Sequence, residues 1–214
     1  MRRLWQMGLV LGLALVVLAG CTAGADNPGG GIVQREGDPK GFVGGTSLEQ
    51  TYPMPDQVLT DTSGNDFNLK TSPSTSATLV FFGYTNCPDV CITVLADVAQ
   101  AMKRIDPSSR QQIQMIFITT DPNRDTPAVI RAYLDRFDPS FIGLTGKLDT
   151  IKLVAGKVGV DISGMKKLPS GGYEVGHGAQ VTGFDRHRVG IVIWTPSTSV
   201  GDLKTDFAHL VDLS

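Results

Sequence analysis

Cysteine is scarce in this 214-residue chain, which has three. A disulfide-stapled scaffold needs several pairs in a short chain, so these cysteines are not the framework that holds the fold. Charge of one sign is also missing. Against 19 Lys and Arg stand 21 Asp and Glu, a formal net charge of −2, without the basic excess that a nucleic-acid partner requires. No internal repeat and no second domain is visible. The apolar run Met7 to Leu18 falls short of the roughly 20 residues of a membrane-spanning helix.

What is present begins with Arg2 and Arg3, then that short apolar run, then the small residues Ala19 and Gly20 before Cys21. This order describes a bacterial export signal, with an uncleaved membrane anchor as the alternative. Both place the remaining chain outside the cytoplasm. Leu18-Ala19-Gly20-Cys21 resembles the lipobox of bacterial lipoproteins, in which the cysteine is acylated and becomes the mature N-terminus. The expectation is a lipoprotein signal peptide over residues 1–20, a flexible tether over 21–50 after lipidated Cys21, and a folded domain over 51–214. The protein would sit on the extracytoplasmic face of a bacterial cell membrane by its lipid anchor. Cleavage takes Arg2 and Arg3 from the 19 basic residues, against 21 acidic ones, so the formal charge moves from −2 to −4. From Thr22 to about Ser47 the chain is rich in Gly, Asp, Asn and Pro and has no apolar period, as a tether requires.

Lipid on Cys21 leaves Cys87 and Cys91 as the only free thiols. They follow the apolar run Ala77 to Phe82, which reads as a buried strand, and precede Val90 to Ile105, which reads as a helix. Pro88 fits the first helical position. Cys87 would then be the N-cap, its sulfur beside the positive end of the helix dipole, a place that favours thiolate. At a spacing of i to i+4, Cys91 lies about one turn further along the same face. The two sulfurs can converge on one soft metal ion or close a redox-active disulfide.

The rest of the domain alternates. Gln57 to Thr60 and Asp66 to Leu69 flank a turn at Thr62-Ser63-Gly64-Asn65 and predict a hairpin. Then come a strand over 77–83, a helix over 88–105, a strand over Ile113 to Thr119 and a helix over Pro127 to Phe137, with Asp125 or Thr126 as its cap. A short helix near Leu148 to Val158 precedes strands at Tyr173 to Val175, Gln180 to Phe184 and Val189 to Trp194, the last two joined by the turn Asp185 to Arg188. An amphipathic segment, Thr205 to Leu213, closes the chain. Strand-helix-strand order implies a parallel core sheet with helices on its faces. A dithiol at the end of the first core strand, opening a helix, is the thioredoxin arrangement. The predicted class is α/β, a thioredoxin-like fold with an N-terminal β-hairpin and an inserted loop or hairpin before the last strands.

Two longer stretches carry a family resemblance. Phe82-Gly83-Tyr84-Thr85-Asn86-Cys87-Pro88-Asp89-Val90-Cys91 resembles the signature of the Sco/SenC/PrrC family. So does Thr120-Asp121-Pro122-Asn123-Arg124-Asp125-Thr126-Pro127, followed by Tyr133-Leu134 and Phe137 to Gly146. The resemblance runs from about Gln57 to the end of the chain. It implies a thioredoxin-like fold, membrane tethering, copper binding by Cys87, Cys91 and one distant histidine, and a role in assembling the binuclear copper centre of cytochrome c oxidase. It also implies partners: the copper-bearing subunit of that oxidase, and other copper chaperones or thiol reductants. The histidine matched is His177, in Tyr173-Glu174-Val175-Gly176-His177-Gly178. Three residues depart from the family pattern. Gly176 replaces the usual acidic neighbour, Gly178 the usual Ser, and Ile92 a proline common after the second cysteine. No carboxylate adjoins His177 in sequence, so the shell orienting its imidazole is expected to be loose.

Two thiolates and an imidazole form a soft donor set suited to Cu(I), with Cu(II) as a second state. Oxidised cysteines cannot bind metal as thiolates, so loading requires reduction. His187, between Arg186 and Arg188 in a turn, reads as solvent-exposed, and His209, on the terminal helix, as structural or exposed. Asp89 is a first-turn carboxylate or a support to the site. Asp121 supports the site from the neighbouring loop or simply begins the Asp-Pro turn. Met102 and Met115 read as core, and Met165 lies in the variable loop before His177. The leading reading is a metallochaperone rather than an enzyme. The alternative is a thiol-disulfide oxidoreductase acting on exported proteins, although redox motifs usually place two residues between their cysteines and three stand here. A peroxidase is a third option, weakened because no arginine lies in the immediate Cys87 motif.

Overall fold

The computed structural model describes residues 37–168 and 172–213. The expected signal peptide, Cys21 and most of the expected tether lie outside the described residues. The chain runs β1 (Thr46–Pro53), β2 (Val58–Asp61), β3 (Asp66–Asn68), β4 (Ala77–Gly83), α1 (Val90–Arg104), α2 (Pro107–Arg110), β5 (Ile113–Thr119) and α3 (Pro127–Leu134). It continues with β6 (Ile142–Thr145), α4 (Leu148–Lys157), β7 (Ile162–Leu168), β8 (Gly172–His177), β9 (Val181–Phe184), β10 (Val189–Trp194) and α5 (Val200–Asp212).

All seven residues of β4 are buried, as a strand covered on both faces must be. It pairs in parallel with β5, from Ala77 opposite Ile113 to Gly83 opposite Thr119, and β5 pairs in parallel with β6. The eight-stranded order is β1-β10-β9-β4-β5-β6-β2-β3, with antiparallel strands flanking the parallel centre. Alternation along β4 and β5 splits the core in two. Leu79, Phe81, Met115 and Phe117 face one side with Val94, Leu95 and Met102 of α1, Ile130 and Leu134 of α3, and Leu203 and Phe207 of α5. Val80, Phe82, Ile116 and Ile118 face the other with Ile151, Val154 and Ala155 of α4. The thioredoxin-like α/β class is therefore observed. Met102 and Met115, each 1% exposed, are core residues as read.

Several boundaries differ from expectation. β6 and β7 were not foreseen as strands, because one is four residues long and the other is polar along most of its length. α3 ends at Leu134, and α5 begins at Val200 under a Ser199 cap whose hydroxyl accepts from the Asp202 amide. The largest difference is at the start. Residues 46–50, expected as tether, belong to β1, and Phe42 is buried against Trp194 with ring centroids 6.0 Å apart.

The cause is Asp206, which is fully buried in α5. Its carboxylate accepts from the amides of Val43 (2.7 Å), Gly44 (2.9 Å) and Gly45 (2.7 Å) and from Trp194 Nε1 (2.8 Å). Local composition had suggested a free segment, yet a carboxylate more than 160 residues later in sequence satisfies its backbone. Removing that carboxylate strands four donors, each costing about 1–3 kcal/mol when buried without a partner. Asp206→Ala should lower unfolding free energy by roughly 3 kcal/mol or more by urea titration and make residues 37–45 susceptible to limited proteolysis. An unchanged midpoint with an intact N-terminal segment would refute this assignment.

Candidate functional site

The loop between β4 and α1 carries the cysteines. Gly83 ends β4 where a Cβ would meet Phe117 at 2.9 Å and Cys91 Sγ at 3.1 Å, so only glycine lets that sulfur lie against the strand. Beyond it the chain turns, the Cys87 amide donating to the Tyr84 carbonyl at 3.1 Å. Cys87 is not the N-cap. The helical ladder begins at Asp89, whose carbonyl accepts from Ile92 and Thr93, and Asp89 is the N-cap without a side-chain capping bond. The turn consumes Pro88 before the helix starts.

The consequence expected of the N-cap still arises, by another route. The Cys91 thiol donates to the Cys87 sulfur, and the Cys91 and Asp89 backbone amides also point at it. These contacts outweigh burial and lower the Cys87 pKa to about 6 from an ordinary value of 9.0. The same thiol-thiolate contact, then burial, holds Cys91 far above the usual thiol range. Both cysteines are free and buried. The pair thus shares one proton, which Cys91 keeps.

Asp125, one of the two cap candidates in the sequence, proves to shape this loop. Its fully buried carboxylate accepts from Thr85 N (3.0 Å), Thr85 Oγ1 (2.6 Å) and Thr119 Oγ1 (2.6 Å), tying the cysteine loop to the end of β5. The cap of α3 is Thr126, whose hydroxyl accepts from the Val129 amide at 3.3 Å.

His177 arrives from the far end of the chain, at the end of β8. Its Nε2 lies 4.0 Å from Cys91 Sγ. Its Nδ1 is 3.0 Å from the Gly178 carbonyl, so the proton sits on Nδ1 and the Nε2 lone pair faces the sulfur. The loose shell expected around this imidazole is corrected here: a backbone carbonyl takes the place of the missing carboxylate. The ring also packs edge-on against Tyr84 (5.9 Å between centroids, 86°) and Phe81 (6.4 Å). A groove of about 520 Å³ opens over the site, lined by Tyr84, Cys87, Asp89, Met165, Glu174 and His177.

The structure therefore brings Cys87, Cys91 and His177 together, with Asp89 on the groove wall. Asp121 stands apart, bonded to Arg124 and accepting from Tyr173 Oη at 2.9 Å. Its contact with the site is through Tyr173 and the β7–β8 hairpin. His187 is exposed on the β9–β10 turn. His209 Nε2 is 2.7 Å from the Lys40 carbonyl, a structural contact remote from the cysteines. Sequence reasoning missed Tyr84, Arg124 and Tyr173 as site residues. Each lies within a motif stretch, Tyr84 in 82–91, Arg124 in 120–127 and Tyr173 in 173–178, but only the fold brings the three together. Among the described residues no group of three His, Cys, Asp or Glu is already drawn into metal-holding geometry, and no helix is long and apolar enough to cross a membrane.

A family model described as SCO1/SenC matches residues 47–212. The mitochondrial protein SCO2 of Saccharomyces cerevisiae is 38% identical over 123 residues, covering 56% of this chain and 40% of that protein. Apo Sco1 of Thermus thermophilus, solved in solution, is 30% identical at a TM-score of 0.67, covering 79% of this chain and 96% of that one. ScoI of Bradyrhizobium japonicum, solved with copper bound, is 30% identical at a TM-score of 0.62, covering 74% and 96%. The chain spans about half the length of the curated relatives it matches, 63%, 40% and 49% for three of them. A match across nearly all of the described domain, together with the thioredoxin-like sheet and the dithiol loop, means that the chain belongs to the SCO1/SenC family.

Proposed function

We propose that this protein binds copper through Cys87, Cys91 and His177 and passes it to the binuclear copper site of a respiratory cytochrome c oxidase. The observation that carries the reading is the 4.0 Å between His177 Nε2 and Cys91 Sγ, with Nδ1 already occupied and Nε2 free. A first-row ion bonded to a thiolate at about 2.3 Å and to an imidazole at about 2.0 Å spans at most about 4.3 Å, so this gap accepts an ion at a wide angle. Two sulfurs and one nitrogen are a soft set, matched to Cu(I) and poorly matched to Mg or Ca. Copper is cargo here, and a three-donor site leaves a position open for the receiving ligand. A relative of 30% identity solved with copper bound supports the metal, and membership of the SCO1/SenC family supports the oxidase as recipient.

Copper uptake by the reduced protein under anaerobic conditions tests this directly. About one equivalent of Cu(I) should bind. Cys87→Ser or Cys91→Ser should abolish tight binding, and His177→Ala should weaken it while impairing Cu(II) more, because that borderline ion depends more on nitrogen. Oxidation to the Cys87–Cys91 disulfide should prevent uptake and dithiol reduction should restore it. Equal binding by the oxidised protein would exclude the sulfurs.

The proton inventory gives an independent check. Cys87 has its folded pKa below its ordinary one, so thiolate is present through neutral pH and is lost as pH falls through about 6. Thiolate absorbance of the reduced, metal-free protein should therefore rise by a single thiolate with a midpoint near pH 6, and Cys87→Ser should remove that step. Copper affinity should decline below the same midpoint, where protons compete for the sulfur. A lone transition near pH 9 would mean that the thiol-thiolate contact does not form.

The same feature favours a second reading. A low-pKa Cys87 beside a protonated, buried Cys91 is also how a thiol-disulfide oxidoreductase arranges attacking and resolving cysteines. Catalysed reduction of a disulfide in an exported protein, without stoichiometric copper uptake, would move the assignment to that class.

We further propose attachment to the outer face of a bacterial cell membrane through lipid on Cys21, supported by Leu18-Ala19-Gly20-Cys21. Stable attachment takes more than one acyl chain. Cys21→Ala should leave an unprocessed or soluble species in cell fractionation. Mass spectrometry finding the wild-type protein soluble and without lipid would refute this.

A further inference from the structure

His177 does not stand on the main sheet. It ends β8, one of two strands in a separate β7–β8 sheet. Of the side chains described in those two strands, only Val175 is buried, and Met165 is 59% exposed. Apolar burial seats this hairpin only at Val175, with Ile162 and Tyr173 packed partly buried against the core.

A charged cluster grips it as well. Arg124, on the loop after β5, pairs through Nε with Asp121, whose side chain is 2% exposed. Arg124 Nη2 donates to the Tyr173 carbonyl at 3.3 Å, and the guanidinium carbon sits 3.7 Å from the centroid of the Tyr173 ring. Tyr173 Oη donates to Asp121 Oδ1 at 2.9 Å. The guanidinium also approaches the Tyr84 ring, 5.7 Å from the centroid, and that ring packs edge-on against His177. Tyr173 lies four residues before His177 on the same strand, and even spacing puts both on one face. One cation thus joins the cysteine loop, the loop after β5 and the strand that carries His177.

We propose that Arg124 is a positioning residue for His177: it holds Tyr173 against Asp121 while touching Tyr84, and so keeps the hairpin where the imidazole meets Cys91. The cysteine loop has its own anchor in Asp125. Release of the clamp therefore takes the imidazole off the dithiol and leaves the dithiol in place.

The test uses the reduced, metal-free, mature full chain in detergent micelles. Arg124→Gln removes the charge, the donor fork and the stacked plane. Amides 172–177 should then exchange with deuterium on the order of tenfold faster. The His177 ring protons should lose the ring-current shifts imposed by Tyr84 and Phe81. Amides of β4 and β5, and the ring protons of His187 and His209, should keep wild-type values. Arg124→Lys restores charge opposite Asp121 without the planar stack and should recover only part of the protection. Tyr173→Phe keeps the ring and loses the Asp121 bond, so it should fall between wild type and Arg124→Gln, and it reads the same cluster if Arg124→Gln does not fold.

Unchanged exchange over 172–177 with unchanged His177 ring shifts, in either folded variant, overturns the proposal. Protection lost equally over β4, β5 and the hairpin also overturns it, since Arg124 would then serve general stability. Only one further measurement rests on the copper reading. In Cu(II)-loaded protein, Arg124→Gln should lose nitrogen hyperfine coupling as His177→Ala does, and retained coupling counts against the clamp. If wild type shows no such coupling while the metal-free results hold, the ligand assignment fails and the clamp stands.

Discussion

The site depends on one buried carboxylate. Asp125 has no access to solvent, and its three close donors come from Thr85 and Thr119. A buried charge of this kind is tolerated only when donors surround it, so the loop around it has little freedom. Thr85 is two residues before Cys87, and Thr119 ends the strand paired with β4. The carboxylate therefore fixes where the cysteine turn leaves the sheet, and through it where both sulfurs lie. It also contributes electrostatically, since its charge is among the causes that raise the Cys91 pKa. Asp125 thus shapes the loop and adds to a Cys91 shift that the Cys87 contact and burial dominate.

That coupling makes the dithiol asymmetric. Cys87 is held as thiolate by a neighbouring thiol and two amides, whereas Cys91, fully buried beside that thiolate, cannot afford a second negative charge. His177 is orientated to present a lone pair rather than a proton. The resting site thus carries one anionic sulfur and one protonated sulfur, with the His177 ring beside them. A monovalent soft cation bound there, as proposed, would supply the positive charge that the Cys91 proton otherwise provides, and ion binding would be linked to proton release.

Much of this was legible in sequence because it is local. The fully apolar run over β4, the Pro at the start of α3 and the turn at Thr62 to Asn65 each report their own structure within a few residues, and all three elements formed. The cysteines and His177 were legible as motifs. What sequence concealed was every interaction made at long separation. Residues 37–50 looked like linker because the groups that pair amides 43–45 and strand β1, Asp206 in α5 and β10, lie far away in sequence. Cys87 looked like an N-cap because Pro88 suits a first helical turn, and only the preceding turn at Tyr84 shows that the helix starts later. Asp125 looked like a cap for α3 because caps are common and buried loop anchors leave no local signature. The β7–β8 hairpin was only half seen, since its outward residues are polar and its register rests on pairs such as Met165 opposite Val175.

The distribution of donors between rigid and peripheral elements bears on release. Cys91 is fully buried and Cys87 is 5% exposed, both backed by the main sheet and α1. His177 stands on a two-stranded sheet with a single buried side chain among those described. Local opening has its lowest cost where buried apolar contacts are fewest, which places the imidazole, rather than either sulfur, on the element that opens first. In the proposed copper reading, the two sulfurs would retain a soft ion when the imidazole lets go, on the side of the groove lined by Cys87 and Asp89. A carrier must hold its ion against loss and still yield it to a receiving ligand. Under the proposed function, sulfurs fixed on the main sheet and a nitrogen on a separate two-stranded sheet would meet both demands, because departure of the imidazole would leave a position for the receiving ligand.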